Sequence, residues 1–247
     1  MMKMELFNDG AVAEPRKSIV KVLFEEWEYP LTYYNDKFDL KVGDCVYVEG
    51  EKALTEGLVT SVNYNYKIKV KNYKRVIQKA DTNVQGSFYV LDSEMITFEP
   101  TALPKEKIAT WFLPPVGEDD EYECGYDDTS FELSNLSEMN AKPVIYERGK
   151  NYYEEDRVQY ICLDGTKGYA IVNGNKNYEV EFTYSEGRIS QLTCSCFCVY
   201  NCKHEVAVMM KLTDCLEDIK KNFADKFEER GYFAMVRKKE FVDKVMM

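Results

Sequence analysis

The stretch Thr193-Cys194-Ser195-Cys196-Phe197-Cys198-Val199-Tyr200-Asn201-Cys202-Lys203-His204 decides how this chain is read. It holds four of the eight cysteines and the sole histidine among 247 residues. Disulfide scaffolds spread their cysteines along a chain, whereas metal ligands cluster. Two ligand pairs stand out, Cys194-x-Cys196 and Cys202-x-His204. Zinc takes four nitrogen or sulfur ligands in a tetrahedron, with Zn–S about 2.3 Å and Zn–N about 2.0 Å. A Cys-x-Cys at a strand end can curl both thiolates toward one ion, and a Cys-x-His at a helix start can supply the rest. The flanks have that order. Tyr178, Val180, Phe182 and Tyr184 alternate along one strand face before the cysteines. Val206, Met209 or Met210, Leu216, Ile219 and Phe223 fit one helix face after them. The expectation is one structural Zn2+ per chain on Cys194, Cys196, Cys202 and His204, with no position left open for water.

Further upstream, Val158–Cys162 and Gly168–Val172 read as strands joined at Asp164-Gly165, with hairpin turns at Asn173-Gly174 and Glu186-Gly187. Ile189–Thr193 returns into the cysteines. Downstream, Gly231 ends the helix, and Tyr232–Val245 reads as a second one.

This segment resembles the SWIM zinc finger, whose pattern is Cys-x-Cys, a variable gap and Cys-x-His on a ββα unit. Cys194, Cys196, Cys202 and His204 match it, with five residues in the gap. Arg148-Gly149, Tyr152-Tyr153, Val158, Val172, Gly174, Tyr178 and Val180 resemble the strands that precede the finger in bacterial members. Cys202-Lys203-His204 followed by Glu205-Val206-Ala207-Val208-Met209-Met210 resembles their usual helix start. The likeness runs from 145 to 222. Cys198 lies inside the gap, where the family has no ligand. From the residues alone it competes for the metal, replaces Cys196 or is a bystander; the family pattern favours Cys196. The resemblance implies a module that binds DNA or proteins. It also implies a helicase-like ATPase as companion, which here would be a separate chain, since no motor motif is present.

The N-terminal third reads as β. Ser18–Phe24, Leu31–Tyr34 and Cys45–Val48 are short apolar segments broken by Gly and Asp. Lys41-Val42-Gly43-Asp44-x-Val46-x-Val48 followed by Gly57-x-Val59-x-x-Val62 resembles SH3-like or KOW-like barrels. Tyr64 to Val76 alternates and reads as a further strand, with Phe88–Leu91 as the last. The class is α+β: a small antiparallel barrel over 15–105, an acidic linker over 106–141 and a zinc-binding domain with C-terminal helices over 142–247. On the Tyr64–Val76 strand, Lys67, Lys69 and Lys71 share a face. With Tyr73, Lys74 and Arg75 they are the candidate contacts to DNA or RNA, because cationic grooves with interleaved aromatics bind single strands. The competing reading is a solvated lysine face protecting an exposed strand.

Composition sets the outer bounds. No apolar run approaches the roughly 18 residues of a membrane helix. Lys3, Glu5 and Asp9 stand where a signal peptide would be apolar, so a cytoplasmic protein with reduced cysteines is expected. The net charge of −11 counts against a non-specific duplex coat. Nine acidic residues between Glu118 and Glu138 carry most of it, so the flanks are near balance. Asp119 and Asp120 are cation candidates with no geometry to fix them. Trp27 and Trp111 read as core or barrel anchors. There is no phosphate loop, nucleophile elbow or dinucleotide fingerprint. With His204 committed to metal, no histidine remains as a general base. A non-catalytic protein without a small-molecule substrate is expected, binding nucleic acid or, alternatively, acting as a protein scaffold.

Overall fold

The computed structural model describes residues 15–245 except 26, 54, 118–122, 127 and 199. The Asp119 and Asp120 candidates lie outside the described residues. The chain divides into two compact units, Met1–Ala80 and Asp81–Met247.

The first unit is one antiparallel sheet of β1 (Ser18–Phe24), β2 (Leu31–Asn35), β3 (Cys45–Val48), β4 (Gly57–Asn63) and β5 (Val76–Lys79), in the order β2-β1-β4-β3-β5. Strand β1 shows why a sheet forms. Ser18, Val20, Val22 and Phe24 are buried, with Lys21 exposed between them. Val46, Val48, Val59 and Val76 complete that core. Gly57 is required because a Cβ there would lie 2.3 Å from a methyl of Val22. The expected barrel is not closed. The strand order is open, and a single parallel bridge, Tyr34 to Arg75, joins the β2 edge to the residue before β5. Of the expected Tyr64–Val76 strand, only Val76 is in one, as the first residue of β5. Residues 64–75 form a mostly exposed irregular connection with one 3-10 turn at Val70–Asn72. Asn63 Oδ1 accepts the Asn65 amide at 2.9 Å, a local turn that competes with the ladder. Val70 is exposed and Ile68 only half-buried, so no apolar face holds the segment down.

The second unit is an eight-stranded sheet with helices. Its strands are β6 (Phe88–Leu91), β7 (Glu94–Thr97), β8 (Ser130–Glu132), β9 (Val158–Asp164), β10 (Lys167–Asn173), β11 (Asn177–Ser185), β12 (Arg188–Cys194) and β13 (Tyr232–Arg237). The order is β6-β7-β13-β9-β10-β11-β12-β8, and each neighbouring pair is antiparallel. The helices are α1 (Lys105–Phe112), α2 (Pro143–Glu154), α3 (Lys203–Asn222), α4 (Ala224–Arg230) and α5 (Lys238–Val245). Residues 81–105, placed with the barrel from sequence, therefore belong to this unit, because β6 and β7 pair onward to β13. The described part of 106–141 carries most of α1 and all of β8.

Two further differences have physical causes. Tyr232–Arg237 is a strand rather than a helix. It is buried on both faces, so Tyr-Phe-Ala-Met-Val is a continuous apolar run whose period is hidden. Residues 143–154, read as strand-like, are a helix that begins on Pro143 at its first position. Gly149, matched to a strand from the sequence, is where α2 meets α3. A Cβ there would lie 2.5 Å from Val206 Cβ and 2.9 Å from the Lys203 carbonyl oxygen.

Helix α3 covers one sheet face. Val206, Met209, Leu212 and Ile219 pack with Ile161, Ala170, Val172, Val180 and Phe182. Burying each such side chain stabilises the unit by about 1.5–3 kcal/mol. On the other face the hydroxyls of Tyr160 and Tyr232 both donate to the Leu103 carbonyl. Trp111, buried, donates its indole N–H to the Asp81 carbonyl at 2.7 Å, whereas Trp27 is 42% exposed beneath the Lys52 ammonium. No helix among the described residues is long and apolar enough to cross a membrane.

The Gly149 crossing makes a test. Gly149→Ala adds helix propensity worth about 1 kcal/mol, but overpacking a tight contact costs about 1–3 kcal/mol. The backbone-anchored Val206 Cβ cannot swing away, so the variant is expected to melt lower than the parent in thermal denaturation. An unchanged or higher melting temperature would show that α2 and α3 are not in close contact there.

Candidate metal centre

Cys194 is the last residue of β12, paired with Val180 on β11. The ladder continues one residue on, where the Ser195 amide donates to the Glu179 carbonyl and the Glu179 amide to Ser195 Oγ, both at 2.9 Å. This holds the Cys-x-Cys turn at the strand end. Cys202 is the N-cap of α3, and His204 lies in its first turn. Glu205 closes a capping box. Its carboxylate accepts the Cys202 amide at 2.7 Å and the Asn201 side-chain amide at 3.1 Å, and its own amide points at Cys202 Sγ at 3.5 Å. Asn201 Oδ1 in turn accepts the Asn140 amide at 3.0 Å.

These devices bring one sulfur from each of Cys194, Cys196 and Cys202 and one nitrogen of His204 within 4.8 Å of one another. This is the one such Cys/His/Asp/Glu group among the described residues. The His204 nitrogen facing the thiols is Nδ1, 3.6 Å from both Cys194 Sγ and Cys202 Sγ. Two ligands on a tetrahedral zinc, one sulfur and one nitrogen, lie about 3.5 Å apart. The donor set is the soft, four-point set that zinc takes at structural sites, and no ligand position is left over. The residues therefore fit one ion.

The imidazole is held by rings. Tyr178 stacks on it at 4.2 Å between centroids, and Tyr152 meets it edge-on at 5.5 Å. Gly174 is small by necessity, since a Cβ there would sit 2.9 Å from the Tyr178 ring and 3.4 Å from His204 Nε2. Nε2 is buried with no hydrogen-bond partner among the described residues. The aromatic clamp thus takes the orienting role that a hydrogen bond to the second nitrogen often has.

Electrostatics match this assignment. Burial, and then the Lys203 charge, lower the His204 pKa to about 4, so the imidazole is neutral near pH 7 and one ring nitrogen has a lone pair to give a metal. Burial first, and then the neighbouring Cys202, raise the Cys196 thiol to about 12. The Cys194 hydrogen bond and burial raise Cys202 as well. Without metal these two thiols are protonated. A bound cation reverses that, helped by the positive end of α3 against the capping thiolate. Glu205, also raised by burial, is spent on the cap.

Cys198 is exposed and outside the ligand group. The other candidates lie in the first unit. Lys67, Lys69, Lys71 and Lys74 are exposed on the 64–75 connection, and no described carboxylate lies within ion-pair reach of them. Tyr73 is half-buried beside Leu31, Thr32 and Tyr33. Arg75 is committed to structure, pairing with Asp36 and donating its amide to Glu49 at 2.9 Å. Sequence reasoning missed Tyr152, the stacking role of Tyr178, and Glu205. The last was readable, because Cys202-x-x-Glu205 has capping-box spacing. The rings were not, because their contact with His204 is tertiary.

No family model, curated protein or solved structure matches this chain.

Two tests follow from this geometry. Zinc uptake must release the protons of Cys196 and Cys202. Calorimetric titration in buffers of differing ionisation enthalpy should show proton release, and apparent affinity should rise with pH across the neutral range. Affinity independent of pH would remove the thiols from the site. Tyr178→Ala should weaken zinc binding by about 10–100-fold, as other outer-shell losses do, read by competition with a chromogenic chelator. Parental affinity in that variant would show that the clamp does not position His204.

Proposed function

We propose that this chain is a non-catalytic binding module organised by a structural zinc of the SWIM type, and that its ligand is nucleic acid. The observation that carries the first half is the closed Cys3His donor set, which leaves no coordination position for substrate or water. Metal binding of this kind supplies on the order of 10–16 kcal/mol to folding. The zinc here ties the end of a hairpin to the start of a 20-residue helix. The second half draws on the distribution of charge. From Gly57 to Ala80 the sequence has no acidic residue, against six cations. Four of these, Lys67, Lys69, Lys71 and Lys74, stand in solvent, with Tyr64 and Tyr66 between them and β4. The overall charge of −11 favours a different ligand, a protein partner such as a separate helicase-like ATPase, with the zinc purely structural.

Salt dependence separates the two readings. Fluorescence anisotropy of the zinc-loaded chain against short single- and double-stranded DNA and RNA should show affinity falling steeply with salt, because phosphate contacts release counterions. Lys67→Glu with Lys69→Glu should weaken binding to every sequence alike and flatten the log–log slope by about 2. Binding that is absent even at low salt would leave the protein-scaffold reading. Unchanged binding in the double variant would remove the 64–75 connection from the interface.

A further inference from the structure

The loop between the second and third zinc ligands holds the most exposed large apolar side chain of the described chain. Phe197 is 100% exposed, and Tyr200, three residues on, is 58% exposed. A phenylalanine in that position adds nothing to the stability of the fold. Its apolar surface, worth about 1.5–3 kcal/mol when buried, stays in water. Both ends of the loop are tied, by Cys196 and Cys202, so neither ring can retract into a core.

The rings around the centre carry cations on their faces. Lys142 Nζ lies 5.5 Å from the Tyr200 ring centroid, Lys203 4.4 Å from that of Tyr152, and Lys176 5.6 Å from that of Tyr178. No described carboxylate is within ion-pair distance of any of the three. A ligand that matches exposed rings flanked by ammonium groups lacking a described carboxylate partner is a nucleotide whose base is unstacked. An apolar peptide surface would desolvate these three lysines without a compensating charge.

Resting on the nucleic-acid reading above, the geometry points to the zinc loop as a stacking platform for single-stranded nucleic acid. Phe197 and Tyr200 receive unpaired bases, and Lys142, Lys176 and Lys203 receive the adjoining phosphates. Duplex is excluded from this mode because its bases are already stacked on one another. The zinc acts by holding the loop, and so the rings, in place before the strand arrives.

The test uses the full zinc-loaded chain with fluorescein-labelled oligothymidylate and a mixed-sequence duplex of equal length. Zinc content and melting temperature are checked for each variant; exposed side chains should change neither. Phe197→Ala is expected to weaken oligothymidylate binding about tenfold or more, with an unchanged salt slope, because stacking rather than charge is lost. Phe197→Leu, which keeps apolar bulk without a ring face, should fall with it. Phe197→Trp should bind like the parent, and its added indole emission should be quenched by the strand. Lys142→Gln with Lys176→Gln, both exposed, should flatten the salt slope by about 2. Parental affinity in Phe197→Ala and Phe197→Leu, with the parent binding oligothymidylate, would overturn the platform and leave the nucleic-acid reading standing. Equal affinity for duplex would overturn the single-strand preference. A parent that binds neither probe at low salt would overturn both readings together.

Discussion

Three thiols and one imidazole nitrogen meeting in the space of a single ion is the constraint on which the second unit's architecture turns. The four donors come from only two elements, the end of β12 and the start of α3. The ion would therefore fasten the helix to the sheet at the point where the chain leaves one for the other. Three thiolates around a Zn2+ ion would sum to one negative charge, which the first turn of α3 would answer with its free amides, the Glu205 N–H among them. The apolar stripe of α3 then completes the docking over β9–β11. A bound ion and the core would thus act on the same helix from two sides, at its N-terminus and along its face.

The groups that orient the ligands also shape the surface. Tyr178 and Tyr152 enclose His204 with one face or edge each, while Lys176 lies over the Tyr178 ring and Lys203 and Arg157 over that of Tyr152. The same logic applies to the loop. Between Cys196 and Cys202, which one ion would fix, Phe197 and Tyr200 are exposed. An acidic chain thereby presents a local surface of rings and ammonium groups. Global charge says little about such a surface, because the excess negative charge is concentrated between Glu118 and Glu138, where nine acidic residues stand without a Lys or Arg.

Much of this was legible in the residues. The ligand spacing needs no tertiary information, because Cys-x-Cys and Cys-x-His each bring two donors together locally. The flanking strand and helix followed from periods of two and 3.6. The Glu186-Gly187 turn, with both residues at positive φ, is the hairpin type its residues suggest. What failed to show were features settled at a distance. Tyr232–Arg237 is a strand because it is inserted between β7 and β9, a choice no local pattern records. The need for a glycine at 149 shows only once Val206 is beside it. Residues 64–75 have a strand's alternation but no apolar face to hold them down, and an asparagine turn at Asn63 leads the chain out of the ladder. The boundary at Ala80 was hidden for the same reason, since β6 and β7 look like any short hairpin until β13 pairs with them.

The most direct test of this account is X-ray absorption at the zinc edge on the purified, metal-loaded chain. The account predicts three sulfur neighbours at about 2.3 Å and one nitrogen at about 2.0 Å, with imidazole scattering beyond. A shell of four sulfurs would mean that Cys198 replaces His204. A shell with fewer than three sulfurs and added light atoms would mean an open site, and either result would contradict the closed Cys3His centre.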